Sequence, residues 1–185
     1  MARGIRRMQI FDDAFDYQTF MSQMRFILMK YNCTLHAYCL MTNHLHILLE
    51  TGDVDISAIM KRLLHGYAMY YNGRHSYRGH LFEGRYVSCL VEDDDYFVQI
   101  GRYIHLNPVK ARITAAPELY KWSSYRTIIG IEDDGITNRD RTFAYFGKNA
   151  VFSYRTFVED SASKYAVEDD RIRKSVGENE LWLPW

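Results

Sequence analysis

The stretch "CTLHAYCLMTNHLHILLET", residues 33–51, decides the fold. Strand-forming residues lie on either side of the polar pair Thr42-Asn43. The pattern predicts a hairpin of two strands, over 33–41 and 44–50. Residues two apart on a strand share a face. His44 and His46 therefore project together while Leu45 turns to the other side, and two imidazoles on one face can converge on one cation. The ordinary alternative is a pair of strand-end histidines with partners of their own. With 7 histidines in 185 residues, the spacing alone does not choose between them.

Upstream, "DDAFDYQTFMSQMRFILMKY" (12–31) puts Phe15, Phe20, Met24, Ile27, Leu28 and Tyr31 close to helical spacing, with acidic residues at the helix start. Downstream, Ile56, Ile59, Met60, Leu63, Leu64, Tyr67 and Tyr71 make a second helical stripe. Asp55 is placed to cap it and Asn72-Gly73 to end it. "GHLFEGRYVSCLVE" reads as a loop and a strand near 84–91, and "DDDYFVQIGRYIHLNPVKARI" as a third helix. Pro108 predicts a break near Asn107. "PELYKWSSYRTIIG" reads as loop and short helix, and "IEDDGITNRD" beyond Gly130 as a linker. The order is that of an α+β, ferredoxin-like domain built on an antiparallel sheet, with its opening strand absent and a helix added at the end.

The length suits one domain with an appendage. A composition 48% hydrophobic and 25% charged supports a packed core and argues against wholesale disorder. No apolar run predicts a transmembrane helix, and the opening residues do not read as a signal peptide. Cys33, Cys39 and Cys89 lack CxxC spacing, which reads as reduced thiols in a cytoplasmic protein. Net charge is zero, but unevenly spread. Residues 1–130 hold 15 basic against 12 acidic groups, and the remainder 8 against 11. A weakly basic body is compatible with phosphate partners.

"GRYIHLNP" adds chemistry to the histidine pair. Tyr103 and Asn107 are four apart and share a helical face. A tyrosine hydroxyl can act as a nucleophile. With an ordinary pKa of about 10 it needs an electrophile polarised by a metal. A carboxamide oxygen is an acceptable third ligand for Mg²⁺ or Mn²⁺. The plainer reading makes Tyr103 a packed aromatic and Asn107 a helix cap, and spacing leaves both open.

Several motifs in order resemble the single-tyrosine HUH transposases. They are "RGIRRMQIFDD", "HAYCLMTNHLHILLE", "GHLFEGRYVSCLVEDDDYF", "RYIHLNPVKARI" and "YKWSSYR", spanning about Arg3 to Arg126. That family comprises transposases of small bacterial insertion sequences and the relatives associated with repetitive extragenic palindromes (REP); "YIHLNPVKA" and "WSSY" are similar to the signatures of the second branch. The resemblance implies a ferredoxin-like or RRM-like sheet with helices on one face. Relatives carry a strand before the "RG" that stands here at Arg3-Gly4, so it also implies a sheet without its first strand. It implies that His44, His46 and Asn107 hold a divalent metal, Mg²⁺ or Mn²⁺. Tyr103 would attack single-stranded DNA beside a hairpin, leaving a 5′-phosphotyrosine and a free 3′-OH. It further implies a catalytic core over 1–130 and a mostly helical extension with a frayed end over 131–185. The protein would be a bacterial cytoplasmic, nucleoid-associated monomer or homodimer.

Arg3, Arg6 and Arg7, Lys61 and Arg62, and Arg74, Arg78 and Arg85 are candidates for the DNA backbone, and Tyr67, Tyr70 and Tyr71 for stacking on bases. Scattered arginines are more often solvated surface, and a tyrosine stripe at helical spacing is more often core. His105 should point away from Tyr103, and His36 has no assigned role. Two other functions stand beside the enzyme: an inactive binder of DNA hairpins, and a small metal-binding or structural domain.

Overall fold

The computed structural model describes residues 1–160. The hairpin forms where the sequence places it. Strands β2 (Thr34–Met41) and β3 (His44–Glu50) pair antiparallel from Met41 opposite His44 to Thr34 opposite Glu50. The register shifts between Leu35 and Ala37, so His36 is the extra residue of a bulge. On the other side of β3 lies β1 (Ala2–Arg3), with Ala2 opposite Leu45 and Arg3 opposite His44, giving the order β1-β3-β2. A two-residue strand thus stands where the sequence suggested none, directly beside the histidines. Gly4 follows it. A Cβ there would collide with the Met8 carbonyl, so glycine is needed for the turn into the 3-10 segment Ile5–Arg7.

Each long helix starts at an aspartate that caps free backbone N–H groups. Asp13 accepts from Phe15 and Asp16 at the head of α1 (Ala14–Lys30). Asp55 accepts from Ser57 at α2 (Ile56–Arg74), which ends at His75 rather than at Asn72-Gly73. Asp93 accepts from Tyr96 at α3 (Asp94–Lys110). The break expected at Asn107 is absent, and α3 runs through Pro108 to Lys110. Proline has no N–H to give the Ile104 carbonyl, but packing along the rest of α3 carries the helix past it. The carbonyls of Asn107 and Pro108 still accept from Ala111 and Ile113, both at 2.9 Å.

Alternation along the strands feeds two cores. Leu35, Tyr38, Leu40 and Leu45 pack with α1 and α2, whereas Ala37, Cys39, Met41 and Leu48 pack with α3. The sheet is therefore sandwiched, with α1 and α2 on one face and α3 on the other, instead of carrying all its helices on one face. Tyr67 and Tyr71 are buried in the first core, so they are core side chains and not base-stacking platforms. Tyr70 donates to the buried Asp16 carboxylate at 2.8 Å. Arg74 binds Asp13 and Asp16, tying α2 to α1 rather than reaching for a phosphate. Phe15 points outward beneath that guanidinium, 4.9 Å from ring centre to Cζ.

The strand expected near 84–91 does not form. A strand needs a neighbour, and β1 offers two residues. Pairing stops after the Gly4–Phe82 bridge and an exchange of hydrogen bonds between Met1 and Val87 at 2.7 and 2.9 Å. An open-sided groove of about 470 Å³ is left between β3 and residues 86–91. The outer edge of β2 is covered by the "WSSY" segment, where Leu40 N–H bonds the Trp122 carbonyl and Ser124 N–H the Tyr38 carbonyl. After α4 (Tyr125–Ile128), residues 131–139 are pinned rather than loose. Asn138 N–H reaches the Leu35 carbonyl at 2.7 Å, and Arg25 holds the carbonyls of Asp134 and Gly135. Helices α5 (Asp140–Phe146) and α6 (Ala150–Glu159) then pack on the back of α3. The frayed end expected beyond residue 160 lies outside the described residues. Among those described, no helix is long and apolar enough to cross a membrane.

Candidate active site

The hairpin turn and α3 meet at one end of the sheet. His44 and His46 leave β3 on the α3 face, with ring centroids 5.1 Å apart. The Tyr103 ring lies 5.7 Å from His46, edge to face. Three of the four sequence-selected site residues are thereby in one place. Asn107 follows one turn along α3 from Tyr103 and is buried; its Nδ2 donates to the Tyr103 carbonyl at 2.9 Å. With the donor end so used, Oδ1 is the atom left to ligate.

The electrostatics favour neutral imidazoles. Burial lowers the His44 pKa to about 4, with repulsion from Arg3 and the N-terminal ammonium adding to it. His46 is held well below the ordinary value, first by burial and then by the charge on His44. Neutral rings keep a lone pair for a metal. The His44 tautomer is also set. Asn43 Oδ1 lies 2.7 Å from Nδ1, and an amide oxygen can only accept, so Nδ1 carries the proton and Nε2 the lone pair. The Asn43 amide in turn donates to the Arg7 carbonyl at 3.3 Å. Two imidazole nitrogens and a carboxamide oxygen are a donor set that fits a divalent metal.

The other candidates divide. Arg3 sits opposite His44, and Arg6 and Arg7 are exposed in the turn that follows, both with positive φ (51° and 60°). They flank the histidines. Arg85 is exposed on the loop bordering the groove. Lys61 and Arg62 project from α2, which covers the opposite face of the sheet, and do not join this constellation. His36 lies at the far end of the hairpin, bonded to Glu50 at 3.0 Å and against Phe97, away from His44. Asp12, Asp16 and His75 also offer ligand atoms close together. The carboxylate of Asp16, though, already accepts from the Asp12 N–H, Tyr70, Arg74 and His75, which makes the group a helix-to-helix tie.

Sequence reasoning missed Lys110. Its ammonium lies 4.7 Å from the Tyr103 ring centre. The signal was present, because Tyr103, Asn107 and Lys110 stand at i, i+4 and i+7 on one face of α3.

Comparison with known proteins speaks for the fold and the family. A solved structure of a REP-associated tyrosine transposase bound to a REP hairpin superposes with a TM-score of 0.58 at 17% identity, covering 75% of this chain and 80% of that one. At that identity the likeness speaks for the fold. No curated protein matches the chain. The family model described as "Transposase IS200 like" matches residues 1–107, a span from β1 through the histidine pair to Tyr103 and Asn107, and the chain belongs to that transposase family.

Proposed function

We propose that this transposase cleaves and rejoins single-stranded DNA beside a hairpin, using Tyr103 as nucleophile. The observation that carries the reading is the convergence of Tyr103 on His46, itself 5.1 Å from a His44 whose tautomer is fixed by Asn43. Tyr103 Oη attacks the phosphorus of a phosphodiester and loses its proton. A tyrosine–phosphorus bond forms at the 5′ end of the downstream fragment, and the 3′ oxygen of the upstream fragment departs as a hydroxyl, taking up the proton. Attack by a 3′-OH on the phosphotyrosine reverses the step, so the bond energy is conserved and no nucleotide cofactor is consumed.

His44, His46 and Asn107 would hold a divalent cation, Mg²⁺ or Mn²⁺. When bound, it supplies charge to the non-bridging phosphate oxygen and offsets the negative charge built up in the transition state. Lys110 places a second positive charge beside the nucleophile. Arg3, Arg6 and Arg7 stand where the backbone of a strand entering the site would pass, and the basic candidates Lys61, Arg62 and Arg85 contribute to backbone affinity from outside it. Supporting the hairpin as partner is the fold shared with a transposase whose structure contains one.

The test is the polarity of the break. A hairpin oligonucleotide labelled at its 3′ end is incubated with the protein and Mn²⁺. The released upstream fragment should be extendable by a polymerase, showing a free 3′-OH, while the labelled fragment stays with protein through denaturation. Fragments with free 5′-phosphates and no attached protein would mean water is the nucleophile. Tight hairpin binding without cleavage would leave the chain a binder.

A further inference from the structure

We infer that Tyr154, acting through His105, is a positioning residue for Tyr103, so that the C-terminal helices are part of the catalytic apparatus rather than an appendage. This rests on the tyrosine chemistry proposed above.

Successive residues of an α-helix are about 100° apart, so Tyr103 and His105 look in nearly opposite directions. Tyr103 faces the histidines. His105 faces away, and it is buried, with both ring nitrogens engaged: Nδ1 lies 2.7 Å from the Tyr154 hydroxyl and Nε2 2.8 Å from Ser124 Oγ. Ser124 Oγ has one proton, donated to the Tyr38 carbonyl at 3.3 Å, and it also accepts from the Tyr38 N–H at 2.9 Å. With that proton on the Tyr38 carbonyl, Oγ accepts from His105 as well, and the imidazole proton sits on Nε2. Nδ1 is then an acceptor, and Tyr154 donates to it. The relay runs from α6 to α3, on to the "WSSY" segment and into β2, the strand paired with the histidine strand.

A second observation is independent of the relay. A Cβ on Gly101 would lie 3.1 Å from the Tyr154 hydroxyl. Glycine at that point lets the hydroxyl approach α3 closely enough to reach His105, one turn further on. The grip extends along the helix. The Arg102 guanidinium lies 4.2 Å from the Phe157 ring centre, Arg141 binds Asp94 at 2.8 Å, and Tyr145 donates to Asp95 at 2.6 Å. Helix α3 is held from behind along its length, and the buried hydrogen-bond chain through His105 acts two residues from Tyr103. Such a chain fixes the rotation and height of the helix over β2 and β3, and hence the approach of Tyr103 to a phosphate. Misplacement of a reacting group by about 1 Å can cost on the order of a hundredfold in rate.

The experiment compares the full-length protein with Tyr154→Phe, Gly101→Ala and the double variant, in single-turnover cleavage of a hairpin oligonucleotide with Mn²⁺. Hairpin affinity is measured by anisotropy and Tm alongside. Tyr154→Phe should lower the single-turnover rate by on the order of tenfold with affinity unchanged. Gly101→Ala should do the same by displacing the hydroxyl, and the double variant should be no worse than either, because both remove one interaction. A spectroscopic arm needs no activity. Long-range ¹H–¹⁵N correlation should show His105 protonated at Nε2 alone, and Tyr154→Phe should move its Nδ1 resonance. A rate that survives in both single variants, a parallel loss of affinity and rate, or an unmoved Nδ1 resonance each overturns the positioning role. If Tyr154→Phe does not fold, Gly101→Ala and the wild-type tautomer decide alone. Failure of the underlying chemistry looks different, since wild type itself would form no adduct.

Discussion

Asn43 uses both ends of its carboxamide, one on His44 Nδ1 and the other on the Arg7 carbonyl. It therefore links the arginine turn to the orientation of the first candidate ligand. Replacing it with alanine leaves His44 free to rotate or change tautomer. Partners of this kind usually affect metal affinity by about 10–100-fold. Titration of Mn²⁺ into Asn43→Ala, followed by calorimetry, should show a loss in that range; wild-type affinity would mean that His44 is oriented by packing alone. Lys110→Met should slow single-turnover cleavage while leaving hairpin affinity close to wild type, because its charge stands over the Tyr103 ring and not in the arginine turn. At this scale the sequence was informative where a period applies. Spacing of two on a strand put His44 and His46 together, and spacing of four on a helix put Asn107 below Tyr103. It could not show Asn43 as a partner, because a turn asparagine has its own reasons to be there. Nor could it tell structural Arg74 from the exposed Arg6 and Arg7, since that depends on which helix lies opposite.

Between elements, α1 and α2 are tied through one carboxylate. Asp16 is fully buried, and Arg74, His75, Tyr70 and the Asp12 N–H all converge on its carboxylate. Asp16 is buried while Arg74 is partly exposed, so removing the guanidinium leaves a buried carboxylate short of its cation. Arg74→Met should therefore lower the urea-unfolding midpoint; an unchanged midpoint would mean that His75 and Tyr70 suffice. The helices and the hairpin were legible from periodicity and caps. The strand near 84–91 was not, because a strand exists only by pairing and the pairing partner, β1, is two residues long. The same limit hid the second covered face of the sheet. Both strand faces are apolar, which an alternation rule reads as one buried face plus noise. The helix through Pro108 was missed because a local bias at Asn107 is outweighed by the packing of the whole of α3.

For the whole molecule, buried neutral histidines set the response to acid. His105 is held down to about 3 by burial, and His44 to about 4 by burial and then by Arg3. Their ordinary value is about 6.5. The unfolded chain thus binds protons that the folded chain refuses as pH falls below 6.5. Stability is fully present above that pH and is lost progressively down toward about 4 and 3. Each histidine contributes at most about 1.4 kcal/mol per pH unit in that window. Tm should fall steadily between pH 6.5 and 4.5, before most carboxylates titrate. A flat profile there would mean that the imidazoles are reached by water. Hairpin affinity should drop with added salt, as phosphate contacts release counterions.

The central claim, that Tyr103 is the nucleophile of a metal-assisted DNA strand transfer, is met most directly by a covalent-adduct gel. The full-length protein is incubated with a hairpin oligonucleotide from the genomic flank of its gene, with Mn²⁺ or Mg²⁺, then denatured and resolved. A DNA-shifted protein band is expected, absent in Tyr103→Phe and absent with chelator. A band that persists in Tyr103→Phe, or none from wild-type protein that folds and binds the hairpin, would contradict the account.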